Sequence, residues 1–264
     1  MSEAAVVQRT VRPHTRTSLA ADLRAIGLGG GDVVILHSSL SAIGWVAGGP
    51  VAVLLALQDV LTADGTLIVP THTSDRTDPA RWQHPPVPED WVPVIRSDTP
   101  AFDPALTPTR SMGVIAETFR SWPGVRRSVH PHVSFAGWGR YADEVTRDHQ
   151  LAWSLGEGSP LARAYDRGAK TLQLGTRNCT SLHLAEARSG RAQRCVQGAT
   201  VPGDGGATWV TFDDWDYDTE GFDEVLESFC RWSGVTPRQV GHADSLLLDQ
   251  RALVDYATET FRTR

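Results

Sequence analysis

The sequence predicts an α/β fold, and three observations carry that prediction. Short apolar runs recur at Val33-Val34-Ile35-Leu36, Thr66-Leu67-Ile68-Val69 and Thr171-Leu172-Gln173-Leu174, as expected of strands buried on both faces. Segments with helical apolar spacing separate them, and glycine, proline or a capping residue marks each join. With 264 residues, 41% hydrophobic and 21% charged, the chain can close a full core, and disordered, collagen-like and coiled-coil classes are excluded.

In chain order, Ser18 is expected to cap a helix carrying Leu19, Leu23 and Ile26, with Gly27 closing it. The stretch GLGGGD at 27–32 precedes a strand instead of following one, so it reads as a helix end and turn rather than a dinucleotide loop. After the strand at 33–36, Gly49 and Pro50 start a helix over 50–61, and the strand at 66–69 stops at Pro70. Residues 71–108, rich in proline, tryptophan and polar side chains, read as a long functional loop region. Helices are expected at 111–120, 141–147 and 159–167. The strand at 171–174 runs through Gly175 into NCTSLHLAEAR, 178–188, which opens another helix, and one or two amphipathic helices follow from Phe222. A repeated order of strand, loop and helix places sites at strand ends.

Composition narrows the function. The N-terminus has no apolar leader and no stretch is long enough to cross a bilayer, so a soluble, cytoplasmic protein without membrane contact is expected. Three cysteines with no CxxC pair suit a reducing compartment. The net charge is −6, and no Lys or Arg falls between Arg194 and Arg231, an interval holding nine acidic residues. That field repels phosphate backbones, so no nucleic-acid partner is expected. It is either a solvated acidic loop and helix or, with Trp215 and Tyr217 among the acids, a site for a polyamine or amino sugar.

Four patterns bear on chemistry. LHSSLSAIGWVAGGP at 36–50 leads from a strand through Ser38, Ser39, Gly44, Gly48 and Gly49 to a helix start; it is either a capped turn or a cradle whose N–H groups take a phosphate. Nine histidines, including His72, His84, His130 and His132, match no zinc-site spacing, so no metal is expected. His183 and Glu186 lie three apart on one helix face. They form either a surface pair or a base whose tautomer the carboxylate fixes, with Thr180 and Ser181 at the helix start offering donors to a carbonyl oxygen. Cys179, four residues before His183, is the rival nucleophile, although a buried inert thiol is the commoner fate.

Five blocks in order carry a resemblance: LHSSLSAIGWVAGG at 36–49, TPTRSMGVIAETFR at 107–120, RRSVHPHVSFAGWG at 126–139, GSPLARAYDRGAKTLQLG at 158–175 and TSLHLAEAR at 180–188. Together they resemble the aminoglycoside 3-N-acetyltransferase family, which is distinct from the GCN5-related acetyltransferases. The resemblance implies a single domain over 1–264, with a mixed central β-sheet flanked by helices. Its cofactor side would lie mainly at 30–200 and an acidic acceptor side at 200–230. It implies acetyl-CoA as cofactor, a cationic aminoglycoside as partner, and a monomer or homodimer. His183 would be the general base, Glu186 its orienting carboxylate and Thr180 a further catalytic residue. His37, Ser38, Ser39, Leu40, Gly44, Trp45, Val46, Gly48 and Gly49 would hold the coenzyme, with Arg110, Ser111, Met112, Gly113, Ser128 and His130 completing its wall. Where family members commonly carry a polar residue this chain has Cys179, which argues against a required thiol. Acceptor contacts are expected from Asp75, Trp82, Asp213, Asp214, Trp215 and Asp216, with Trp91 nearby in the same region. The expected reaction is direct transfer to a 3-amino group, giving antibiotic resistance. Acetylation of another amine, or cation-binding without catalysis, are the alternatives.

Overall fold

The computed structural model describes residues 2–204 and 206–263, so Met1, Gly205 and Arg264 of the expected 1–264 domain lie outside the described residues. Helix α1 (Glu3–Arg9) is capped by Ser2, and α2 (Arg16–Ala25) by Thr15. Ser18, expected as the cap of α2, is instead the return half of a capping box with Thr15, three residues further in. Strand β1 (Val33–Ser38) leads into the short α3 (Leu40–Ile43) and then α4 (Gly49–Leu61), with Pro50 in its first turn. Strand β2 (Thr66–Pro70) opens the region read as loop, which in fact holds two 3₁₀ turns and a helix, α5 (Trp91–Asp98). There follow α6 (Gly113–Arg120), β3 (Arg126–Arg127), β4 (Phe135–Gly139), α7 (Ala142–Thr146), α8 (Pro160–Asp166) and β5 (Lys170–Leu174).

Helix α9 (Ser181–Ser189) precedes a feature the sequence did not predict, a long hairpin of β6 (Gln193–Gly203) and β7 (Gly206–Asp216). The acidic run at 213–216 is therefore strand, not loop and helix. The tail supplies the two expected helices, α10 (Phe222–Ser233) and α11 (Gln250–Arg262), but between them lie strands β8 (Arg238–Val240) and β9 (Ala243–Asp249).

The main sheet has the order β3-β4-β2-β1-β5-β9-β8. Its centre is parallel, with Ile35 of β1 beside Ile68 of β2 and Thr171 of β5, while β4 and β9 flank it antiparallel. The sheet is thus mixed, as expected. Alternate residues of β1 enter different cores. Val34 and Leu36 pack with Leu19, Leu54, Leu57 and Phe119 from α2, α4 and α6. Val33 and Ile35 pack with Leu161, Leu184, Phe229 and Leu253 from α8 to α11. Burial on both faces explains why the central strands read as unbroken apolar runs. Because helices cover both faces, the carboxyl ends of the parallel strands are the natural place for a ligand crevice.

Candidate functional site

A cavity opens at those carboxyl ends. Its wall takes Leu36, His37 and Ser38 from the end of β1, Val69, Pro70 and His72 from the end of β2, and Arg177 to Thr180 from the loop after β5. His183 of α9, Ser111 and Met112 before α6, Ala116 within it, and Thr219, Phe222 and Asp223 at the start of α10 complete it. Six of the expected site residues meet there: His37, Ser38, Ser111, Met112, Thr180 and His183.

His183 Nδ1 lies 3.1 Å from Oε2 of Glu186, whose side chain is 1% exposed. Glu186 is buried because α9 turns Leu182, Ala185 and Glu186 inward, so the pair is no exposed surface bridge. Nδ1–H donates to that carboxylate, which leaves the Nε2 lone pair facing the cavity. Among the described residues nothing hydrogen-bonds to Nε2. Tyr217 meets the ring edge-on at 5.1 Å between centroids and Phe222 packs on it at 4.9 Å, which restricts rotation. The Tyr217 hydroxyl is itself fixed, accepting from Leu155 N–H at 3.1 Å.

His37 ties the end of β1 to the start of α9. Its Nε2 accepts from Thr180 N–H at 3.2 Å and lies 3.3 Å from Thr180 Oγ1. Burial, and then the neighbouring His183, lower its pKa to about 4, so the ring is neutral and able to accept. This corrects the expectation for the helix start: Thr180 N–H is taken by His37. Leu182 N–H donates to Cys179 carbonyl at 3.2 Å, and Ser181 hydroxyl is 3.0 Å from Thr171 Oγ1 in the core. Of the two hydroxyls at the helix start, that of Thr180 stays at the cavity wall, beside His37 Nε2. Cys179 also borders the cavity, but burial pushes its thiol up to about 12. A thiolate nucleophile is therefore disfavoured.

A second groove follows along the chain, lined by Leu40, Ser41, Gly44, Trp45, Val46 and Gly49 with Glu3 and Val6 of α1. The preceding segment and a distant turn hold this loop in place. Trp45 N–H donates to Thr10 Oγ1 at 2.9 Å, His14 N–H to Trp45 carbonyl at 2.9 Å, and His242 N–H to Ile43 carbonyl at 2.8 Å. Gly44 has φ +100°, and a Cβ there would sit 3.1 Å from both His14 and His242 rings. Gly48, φ +87°, starts α4 without a side-chain cap, so the first-turn N–H groups have no side-chain partner. Ser39 caps α3 only by its backbone, and its N–H donates to Leu174 carbonyl at 2.9 Å.

Several expected contacts lie elsewhere. Ser128 and His130 are buried and stand behind the wall. Ser128 Oγ is 3.0 Å from His149 Nδ1, and His130 Nε2 is 3.1 Å from Leu151 carbonyl. Arg110 is exposed, with its N–H donated to His72 carbonyl at 2.8 Å, and Gly113 opens α6 at φ +83°.

The residues expected to contact the acceptor are spread more widely. Asp214 is buried and binds Ser154 N–H at 2.9 Å and Ser154 Oγ at 2.7 Å. Burial raises its pKa despite those bonds, and its carboxylate ties the hairpin to Ser154. Trp215 stacks on Trp153 at 4.5 Å, Asp216 pairs with Arg81 at 2.7 Å, and Trp82 Nε1 donates to Thr77 Oγ1 at 2.9 Å. Asp213 and Trp91 are exposed, and neither lines the cavity. Asp75 Oδ1 is buried and has no hydrogen-bond partner. The residues that do reach the cavity, and that sequence reasoning passed over, are His72, Arg177, Asn178, Thr219, Phe222 and Asp223. His72 was seen only as one of many histidines. Burial and the nearby His183 and His37 take its pKa down to about 3, and its Nε2 has no partner. Among the described residues no group of three or more His, Cys, Asp or Glu is arranged to hold a metal, and no helix is long and apolar enough to cross a membrane.

Known proteins resemble this chain in sequence and in fold. The prophage-derived aminoglycoside N(3')-acetyltransferase-like protein YokD of Bacillus subtilis is 40% identical over 97% of this chain and 95% of its own. The crystal structure of YokD superposes with a TM-score of 0.96 at 39% identity, covering 99% of this chain and 98% of that one. The AAC-IIIb binary complex with CoASH gives 0.84 at 29% identity over 96% and 98%, and AAC-VIa bound to sisomicin gives 0.86 at 28% over 96% and 99%. Residues 35–262 match the family described as Aminoglycoside 3-N-acetyltransferase. The chain belongs to the aminoglycoside 3-N-acetyltransferase family.

Proposed function

We propose that this protein acetylates the 3-amino group of an aminoglycoside with acetyl-CoA, by direct transfer with His183 as general base. The observation that carries the proposal is a histidine with Nδ1 held by the buried Glu186 carboxylate and Nε2 open to a cavity at the strand ends. Bound acetyl-CoA supplies an activated acyl carbon and a sulfur leaving group. The groove of residues 40–49 fits such a group, since positive-φ glycines bare the backbone at Gly44 and Gly48 and no side chain caps the start of α4. Leu40, Trp45, Val46 and Gly49 would hold the pantetheine, His37, Ser38 and Ser39 would border the acyl end, and Arg110 to Gly113 would form the opposite wall.

His183 Nε2 takes the proton of the acceptor amine, and Glu186 keeps Nδ1–H in place throughout. Thr180 hydroxyl is the donor available to the acyl oxygen. Asp75, with its unpartnered Oδ1, and Asp223 at the cavity wall are the carboxylates suited to acceptor ammonium groups. Positioning both substrates at one cavity supplies much of the rate. In a cell the product would be a disarmed antibiotic, which is the resistance role.

A thiol-release assay with acetyl-CoA against a panel of 2-deoxystreptamine aminoglycosides tests this. Acceptor-dependent release, with NMR placing the acetyl group on the 3-amino nitrogen, is expected. Uniformly high KM would favour another amine, and tight binding without release would favour a non-catalytic binder. Cys179→Ala is expected to hold kcat within about two-fold, because a buried, protonated thiol is a small apolar filler. A large kcat loss with an unchanged melting temperature would contradict that.

A further inference from the structure

The acidic run that dominates the sequence between Arg194 and Arg231 is not a bare acidic field in space. Arginines from other parts of the chain meet it: Arg81 reaches Asp216 at 2.7 Å, and Arg191 lies 3.7 Å from Asp218. The third is Arg177, on the loop between β5 and α9. Its Nε donates to Asp223 Oδ1 at 2.9 Å and its Nη2 to Glu227 Oε1 at 2.8 Å, one turn apart on α10. Of these three arginines only Arg177 lines the cavity, and Asp223 is the sole carboxylate among the residues that line it. The clasp joins the loop bearing Asn178 and Thr180 to the helix bearing Phe222, on the same wall as His183.

We infer that Arg177 is a specificity-determining residue, an internal counter-ion that occupies Asp223 and Glu227 until an acceptor ammonium displaces it. This deepens the acyl-transfer reading of the same cavity and rests on it. All three side chains are about half exposed or more, so the pairs are held loosely and exchange with an incoming cation. Displacement therefore costs affinity for the acceptor and leaves the proton transfer at His183 untouched. The effect grows with the number of positive charges an acceptor brings to the wall and is screened by salt. A chain built this way discriminates against strongly polycationic acceptors compared with one whose acidic wall is bare.

The test is calorimetric binding of sisomicin to wild type, Arg177→Gln, Arg177→Lys and the double variant Arg177→Gln/Asp223→Asn, with acetyl-CoA kinetics alongside and melting curves to verify folding. Arg177→Gln is expected to tighten the sisomicin Kd about 3- to 10-fold, the scale of one or two exposed pairs. KM should fall in step, kcat and the KM for acetyl-CoA should hold, and the gain should shrink at high salt. Arg177→Lys should restore the wild-type Kd in large part, and Asp223→Asn should erase the gain. An unchanged or weaker Kd in folded Arg177→Gln, or no sisomicin binding by either protein, overturns the inference. So does a raised KM for acetyl-CoA, which would make Arg177 a coenzyme contact. Tightened binding without thiol release would uphold Arg177 and sink acyl transfer instead, so the two failures are distinct.

Discussion

His183→Ala is expected to lower kcat by about 10²- to 10⁴-fold, the range for losing a positioned general base. The fold should survive, since His183 is partly exposed at the cavity and the core of α9 is made by Leu182, Leu184 and Ala185. The KM values should change little, because the wall at His37, Ser38, Met112 and Asp223 is intact. Glu186→Gln should fall between the two. Gln has the size of Glu, but it carries no charge and its amide can present N–H to Nδ1, so the tautomer is no longer enforced. The buried position of Glu186 makes this more than the loss of a surface pair, whose contribution is a few tenths of a kcal/mol. Steady-state kinetics beside circular dichroism check both variants. A His183→Ala enzyme with near wild-type kcat would remove His183 from the chemistry.

The second large effect is on stability in acid. Five histidines are held neutral by burial: His37, His132 and His149 near pKa 4, His72 near 3, and His130 well below its ordinary value. His130 and His149 stack at 4.6 Å, and His130 and His132 meet at 5.8 Å, so a proton on one opposes a proton on the next. In the unfolded chain each titrates near 6.5. The sign follows from linkage. Above pH 6.5 both states are neutral and these groups do not affect stability.

Below pH 6.5 the unfolded chain binds protons that the folded chain refuses, so stability falls until the folded values are reached near pH 4 and below. Each histidine costs about 1.4 kcal/mol per pH unit in that window. One unit below 6.5, five of them cost about 7 kcal/mol, comparable to the stability of an ordinary domain. Asp59, Glu117 and Glu157, paired with arginines, lose their contributions in the same direction at lower pH. Urea melts from pH 8 down to pH 5 should show a plateau above 6.5 and a steep loss below it. His132→Gln should lessen the slope by about one proton. A flat stability from pH 8 to pH 5 would mean that the histidines are charged or exposed in the folded protein.

The contrast between what the sequence revealed and what it hid has physical causes. Strands β1, β2 and β5 were legible because helices bury both faces, so every position is apolar and the run is unbroken. Strand β4, FAGWG, was missed because its two glycines break the apolar run. One of them, Gly139, has φ +100° and leaves no room for a side chain against Gly65. The β6/β7 hairpin lies mostly exposed, so no apolar alternation marks it. Strand β9 is half-buried and sits between two amphipathic helices whose pattern swamps it.

The His183–Glu186 pair was legible because helix periodicity alone brings i and i+3 together. The remaining cavity residues were not, since His72, Arg177 and Asp223 meet only through the sheet order and the docking of α10. The acidic run misled for the same reason: Arg81 and Arg177 lie far from it in sequence and close to it in space.

The central claim is that His183 takes a proton from the acceptor as the acetyl group passes directly to it. Rapid-quench single turnovers, with enzyme in excess over acetyl-CoA and sisomicin as acceptor, test it most directly when followed by intact-protein mass spectrometry. The account predicts acetyl-sisomicin forming with no acetyl-enzyme at any time, no thiol burst when sisomicin is withheld, and that single step slowed by about 10² or more in His183→Ala. An acetyl group appearing first on the protein, at Cys179 or elsewhere, or an undiminished single-turnover rate without His183, would contradict it.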